Sequence, residues 1–351
     1  MVELGTLIAD YPTAVTQEAT ELGSALLAEA PRFKADIDAA LAASCVTNAS
    51  GHVTFVPAAV SPAGSKPAPY PSMTADTLAS YSNFRYYAEM LSSGALDGAT
   101  ANALMDFREG NGGTLSGMTR YTDHLDDMPA DGYALGSLEA DRVESFLLLL
   151  YGHAANYQGR GSFFTTEQQS LYADARHPSW RASLGEIQAD FCVPSQTLVA
   201  YMTALQLVYA DRDSPTIFLA RGAPRRWYKG DHTGGLAFGT SRAPSRWGQV
   251  SFTVSPPSPL SGSEHANATT SVALAVDFAA PHGANARTPT IVLRVRDPNG
   301  KAKLIGASVR AHDDCEVREV TGDAELITLV PTAEATKAMA VRQCVVLARF
   351  A

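Results

Sequence analysis

Two stretches of the chain hold side chains suited to proton transfer. In Gly159 to Tyr172, GRGSFFTTEQQSLY, glycines 159 and 161 permit backbone angles closed to other residues, and Phe163 and Phe164 lead through two threonines to Glu167. Aromatic walls exclude water from a carboxylate and would raise its pKa towards the range useful for general acid or base work. The same letters fit a solvated glutamate opening the next helix, where its charge meets the positive end of the dipole. The second stretch, Asp123-His-Leu-Asp-Asp127, sets an imidazole among three carboxylates. That set suits a metal or an acid/base pair, and suits a solvated polar loop equally well.

The elements that must position these groups follow from hydrophobic periodicity. It is helical from residue 1 to about 213 and alternates, or runs in short apolar stretches, from about 215 onward. The expected domains are therefore 1–213, helical, and 214–351, strand-rich, with the boundary near Asp211-Arg-Asp-Ser-Pro215. Thr13 to Ala30 and Pro31 to Ser44 read as a helical hairpin broken at Pro31, with Phe33, Ile37 and Leu41 on one stripe. Ser61 to Ser72 reads as a loop with four prolines. Helices are expected from Thr74 to Ser92, from Ala99 to Arg108, from a Ser137 cap to Tyr157, and from Pro194 to Arg212. His153 falls near the end of the third of these. The Gly110 to Gly117 turn has neither the lysine nor the preceding strand of a phosphate loop. Eight strands between Thr216 and Ala348, with turns such as Asp297-Pro-Asn-Gly300, suggest an antiparallel β-sandwich.

Bulk composition narrows the classes of partner. A chain of 351 residues is long enough for two cores. Its net charge of -9 argues against a surface that binds nucleic acid. No apolar run approaches the roughly 18 residues of a membrane span, and Met1 is followed by an acidic amphipathic segment unlike a secretory leader. Localisation stays open. Cysteines 45, 192, 315 and 344 have no close spacing, so neither a zinc ribbon nor a redox pair is expected, and no cofactor is called for. Cys315 and Cys344 could bond if neighbouring strands bring them together, or stay as buried thiols.

Arg221-Gly-Ala-Pro-Arg-Arg-Trp227, followed by Ala243-Pro-Ser-Arg-Trp-Gly-Gln-Val-Ser-Phe252, resembles the junction of bacterial six-hairpin glycosidase-like proteins, where an α/α toroid ends and a β-sandwich begins. Thr54 to Pro57, Pro69 to Pro71, Leu78 to Tyr81, Tyr133 to Gly136 and Gly161 to Glu167 look like that family in the same order. The resemblance implies an α+β protein built of a partial (α/α) toroid of helical hairpins and an antiparallel β-sandwich. About seven helices precede the strands, short of six hairpins, so the chain looks like the C-terminal half of such an enzyme. A homo-oligomer or a partner chain could complete the ring.

The resemblance also implies a glycan-facing cavity and a carbohydrate substrate. By carry-over Glu167 is the candidate general base. Hydrolysis needs a second carboxylate, and Asp123 and Asp127 are its first candidates, with Asp126 and Asp141 nearby. Tyr81, Asn83, Arg85, Tyr133 and Trp180 could stack on or hydrogen-bond a sugar, or simply pack a core. Two further readings are a polysaccharide lyase drawing on Asn83, Arg85, Tyr86, His124 and Tyr133, and a carbohydrate-binding remnant without catalysis.

Overall fold

The computed structural model describes residues 4–5, 16–57, 78–121, 124–156, 165, 167–170, 193–211, 214–229, 237–255, 269–278, 289–338 and 340–351. Within them the chain is a mixed α and β protein. It divides into two units, one ending at Thr203 and the other running from Ala204 to Ala351. The division falls inside the helix Val193–Leu207, whereas the change of periodicity in the sequence falls near Asp211 to Pro215. The proline-rich 61–72 stretch, Phe163, Phe164, Asp123 and Trp180 lie outside the described residues.

The first unit opens with α1 (Gln17–Ser44), whose N-terminus is capped by Thr16: the side chain accepts from the Ala19 N–H at 3.3 Å. The expected break at Pro31 does not occur, and the helix runs through it. Proline removes one N–H and crowds the preceding turn, but Leu27 there is exposed, so water can serve the freed carbonyl. Alanine and leucine on both sides favour continued helix. The strands β1 (Val46–Thr47) and β2 (Val53–Phe55) then pair antiparallel.

Two helices follow, α2 (Leu78–Ser92) and α3 (Gly98–Gly110), the second capped by the Asp97 carboxylate accepting from the Thr100 N–H at 2.7 Å. Next comes a hairpin of β3 (Thr114–Leu115) and β4 (Met118–Tyr121). Its two-residue turn, Ser116 and Gly117, has φ of 51° and 81°, the left-handed pair that matches strand twist. A side chain at 117 would strike the Leu148 backbone, so glycine also lets the turn seat against a later helix. The glycine-rich stretch is thus a packing turn.

After β5 (His124–Asp126), the single helix expected from Ser137 to Tyr157 is in fact two, α4 (Ala130–Glu139) and α5 (Val143–Asn156). Asp141 takes φ 58° between them, and Ser137, expected as a cap, lies buried inside α4. Gly132 and Gly136 share one face of α4, where a Cβ would meet the Ala88 backbone and the Leu91 side chain of α2. That close approach locks α4 and fixes Tyr133. The strand β6 (Gln168–Ser170) and the helix α6 (Val193–Leu207) complete this half. Apart from the β1 and β2 pair, the strands of this half form a four-stranded sheet, in the order β3, β4, β5, β6.

The second unit holds two five-stranded sheets. One runs β13 (Leu304–Val309), β16 (Ala340–Phe350), β11 (Thr269–Phe278), β10 (Gly248–Ser255), β9 (Phe238–Ser245). The other runs β14 (Cys315–Thr321), β15 (Leu326–Pro331), β12 (Thr290–Arg294), β8 (Thr216–Leu219), β7 (Val208–Ala210). Alternation works as expected in β10, where Val250, Phe252 and Val254 point inward and join Ile217, Leu293 and Ile327 in one apolar cluster. The pairing is not antiparallel throughout: β8 and β12 run parallel. Cys315 of one sheet is disulfide-bonded to Cys344 of the other, their Cα atoms 5.7 Å apart.

The Arg221 to Trp227 motif serves this core. Arg221 lies over the Phe218 ring at 4.0 Å, Arg225 donates to Glu325 and to the Asp297 carbonyl, and buried Tyr228 donates to the Arg294 carbonyl at 2.7 Å.

Candidate functional site

The first-unit sheet joins the two chemistry-bearing stretches of the sequence. Both were readable as loops, but their residues pair as β5 and β6, with Asp126 opposite Gln168 and His124 opposite Ser170. One step beyond, the Asp127 N–H donates to the Glu167 carbonyl at 3.1 Å. Glu167 and Asp127 are therefore neighbours, Glu167 partly exposed and Asp127 2% exposed.

Local geometry fixes the acidic pair at 126 and 127 in different roles. The Asp126 carboxylate accepts from the Met128 N–H at 2.9 Å and shapes the turn into α4, while the Asp127 carbonyl accepts from the Ala130 N–H. The two carboxylate oxygens of Asp127 have no hydrogen-bond partner among the described residues. Burial pushes the Asp127 carboxyl up to about 8. The Ser195 hydroxyl pulls the other way without closing a full hydrogen bond, and the charges of Asp126 and Glu167 add to the rise. Asp127 thus holds a proton near neutral pH.

Ser195, in the first turn of α6, also joins His153 to this neighbourhood. The His153 ring, 1% exposed, places Nε2 3.1 Å from the Ser195 carbonyl. A carbonyl only accepts, so Nε2 carries the proton. Burial pulls the imidazole down to about 4, against the opposing effect of that carbonyl, and the ring is neutral at pH 7. Thr165, two residues before Glu167, is fully buried with its hydroxyl unpartnered among the described residues.

Of the expected sugar contacts, Arg85 is brought to this segment: its guanidinium donates to the Met128 sulfur at 2.6 Å. Tyr81 and Asn83 lie on α2, but their side chains, like all of Asp123 and Trp180, are outside what is described. Tyr133 faces elsewhere. It is 1% exposed, lies 3.4 Å beneath the Arg108 guanidinium, and lines a cavity with residues of α3 and α5. Asp141 is exposed in its turn.

Ser195, Thr165 and Arg108 were not singled out from the sequence. Arg108 did leave a signal, since it follows buried Leu104 by four residues and so shares its helical face. Ser195 left none, because its role comes from a long-range approach of α6.

Among the described residues no group of three or more His, Cys, Asp or Glu side chains could hold a metal ion, and no helix is long and apolar enough to cross a membrane. No protein-family model matches the chain, and comparison with curated proteins and with solved structures returns no match.

Proposed function

We propose that this protein acts on a carbohydrate as a glycoside hydrolase, with Glu167 as general base and Asp127 as general acid. The observation that supports this reading is the apposition of the two residues, with Asp127 kept protonated near neutral pH by its burial. Glycoside hydrolysis needs one carboxylic acid that protonates the leaving oxygen and one carboxylate that activates water. Environments that push two acids apart in pKa are what assign those roles. Arg85, held against Met128 beside the pair, is placed to donate to a sugar hydroxyl.

The resemblance to six-hairpin glycosidase-like proteins belongs to this proposal, as does the finer architecture: a partial α/α toroid, completed by a second copy or another chain, ahead of a β-sandwich. The packed helices α2, α4 and α5 are consistent with helical hairpins, and the two sheets sharing one apolar cluster are consistent with a sandwich.

The lyase reading is weaker on one point. Of the residues it draws on, Tyr133 is a poor base, since burial pushes that phenol up to about 12 despite the opposing Arg108 charge and it stays neutral at ordinary pH.

The test is product release from a panel of neutral and acidic polysaccharides, followed by reducing ends and by ultraviolet absorbance. Hydrolysis abolished by Glu167→Gln, and reduced about 100-fold or more by Asp127→Asn, is the expected result. Unsaturated products would select the lyase instead. Binding that persists in both variants, with no turnover in the parent, would leave a carbohydrate-binding protein.

A further inference from the structure

A second polar site lies in the first unit, apart from the Asp127 and Glu167 pair. Arg108 and Glu109 of α3, Thr114 and Gly117 of the hairpin, Tyr133 of α4 and Leu148 of α5 wall a cavity of about 180 Å³. Arg108 is 5% exposed and Tyr133 1%, while Glu109 and Leu148 are exposed and stand where the cavity meets solvent.

The hydrogen-bonding groups around this cavity are not all satisfied. Glu109 is already engaged, accepting from Arg142 at 2.6 Å and from the Ser145 hydroxyl at 3.0 Å. Arg142 is satisfied as well, since it also reaches Asp106 at 2.6 Å. Arg108 has the Tyr133 ring under one face, but its Nη2 has no hydrogen-bond partner among the described residues. The Tyr133 hydroxyl is likewise unpartnered. A cation over an aromatic ring recovers less than burying a guanidinium costs. Burial accordingly pulls the Arg108 pKa below its ordinary value, although the side chain remains a cation.

We propose that this cavity binds a small carboxylate ligand, whose oxygens accept from the Arg108 guanidinium and the Tyr133 hydroxyl. The unpartnered Arg108 Nη2 and Tyr133 hydroxyl offer donors to an anion's oxygens, and the neighbouring Glu109 works against a dianion such as sulfate or phosphate. With one guanidinium face stacked on the ring, the unpartnered Nη2 remains to donate to a planar carboxylate, a geometry that suits guanidinium N–H groups. The site does not depend on the hydrolase reading.

The experiment is calorimetric titration of the full chain with acetate and galacturonate, with galactose as the neutral match and sulfate as the dianion, at constant ionic strength. Carboxylate binding in the millimolar range is expected, with no binding of galactose and weaker binding of sulfate. Arg108→Gln should weaken carboxylate binding by about tenfold or more, and Tyr133→Phe by several-fold. If Arg108→Gln does not fold, Tyr133→Phe decides, together with a crystal structure grown in acetate. No carboxylate binding in the parent, sulfate bound more tightly than either carboxylate, affinity unchanged by Tyr133→Phe, or only waters in the cavity of the acetate crystal would each overturn the proposal.

Discussion

The backbone N–H of Asp127 donates to the carbonyl of Glu167 at 3.1 Å, so two acidic residues remote in sequence share the end of one strand pairing. The main chain sets their spacing, and substitution of either side chain leaves that hydrogen bond in place. Conservative variants at both positions therefore report on charge and not on the fold.

The first such report is the dependence of stability on pH. Asp127 has a carboxyl at about 8 when folded, against an ordinary 3.8. Between those values the folded chain keeps a proton that the unfolded chain releases. The contribution is fully present below about pH 4 and is lost as pH rises through about 8. Asp127→Asn keeps the shape and cannot ionise. Chemical denaturation at several pH values should show the parent losing on the order of 5 kcal/mol relative to this variant across that window. Parallel stability curves would show that Asp127 titrates normally.

His153 gives a slope of opposite sign. Its imidazole falls from an ordinary 6.5 to about 4 because it is buried. The unfolded chain therefore takes up a proton first on acidification, and stability is lost as pH falls from about 6.5 through about 4. His153→Gln retains a donor for the Ser195 carbonyl without the titration. The stability of the parent minus that of the variant should decline below pH 6.5 by on the order of 3 kcal/mol. A flat difference would mean that the ring protonates freely in the fold.

Local patterns were legible in the sequence and long-range register was not. The apolar stripes of α2, α3 and α6 and the alternation of β10 follow from spacing alone. The strands β5 and β6 are three residues each and mostly polar, so nothing local distinguishes them from loops; pairing across more than one intervening helix makes them strands. Glu167 and Asp127 were visible as candidates, but their apposition comes from that pairing. The strand β14, Cys-Glu-Val-Arg-Glu-Val-Thr, carries little local signal, because charges occupy its exposed positions and only Cys315 is buried deeply. Pro31 is tolerated within α1 because the Leu27 carbonyl it leaves without a donor lies on an exposed turn open to water, which no local pattern reveals.

Cys315 and Cys344 are separated by 29 residues and tie one sheet of the second unit to the other. Closing a loop of that length removes chain entropy from the unfolded state equivalent to about 3–4 kcal/mol. The double variant Cys315→Ala with Cys344→Ala should therefore unfold at lower denaturant, and the parent should approach it on addition of a reductant. A parent whose transition ignores reductant, with thiols that react freely after unfolding, would show that the bond does not form in solution.

Gly132 tests how closely α2 and α4 must approach. A Cβ there would fall on the Ala88 carbonyl and Cα, which are backbone and cannot rotate aside. Helix propensity alone favours Gly132→Ala by about 0.8–1 kcal/mol, so the sign of the measured change decides between propensity and packing. Forcing α4 outward would disturb Tyr133 on the adjacent position, loosen its stacking on Arg108 and strain the contact of Gly136 with Leu91. Overpacking of this kind costs about 1–3 kcal/mol, and backbone contacts lie at the upper end. The expected outcome is a net loss of stability, accompanied by a change in the near-ultraviolet signal of the buried tyrosines. A stabilised variant with an unchanged aromatic signal would mean that the two helices have room to separate.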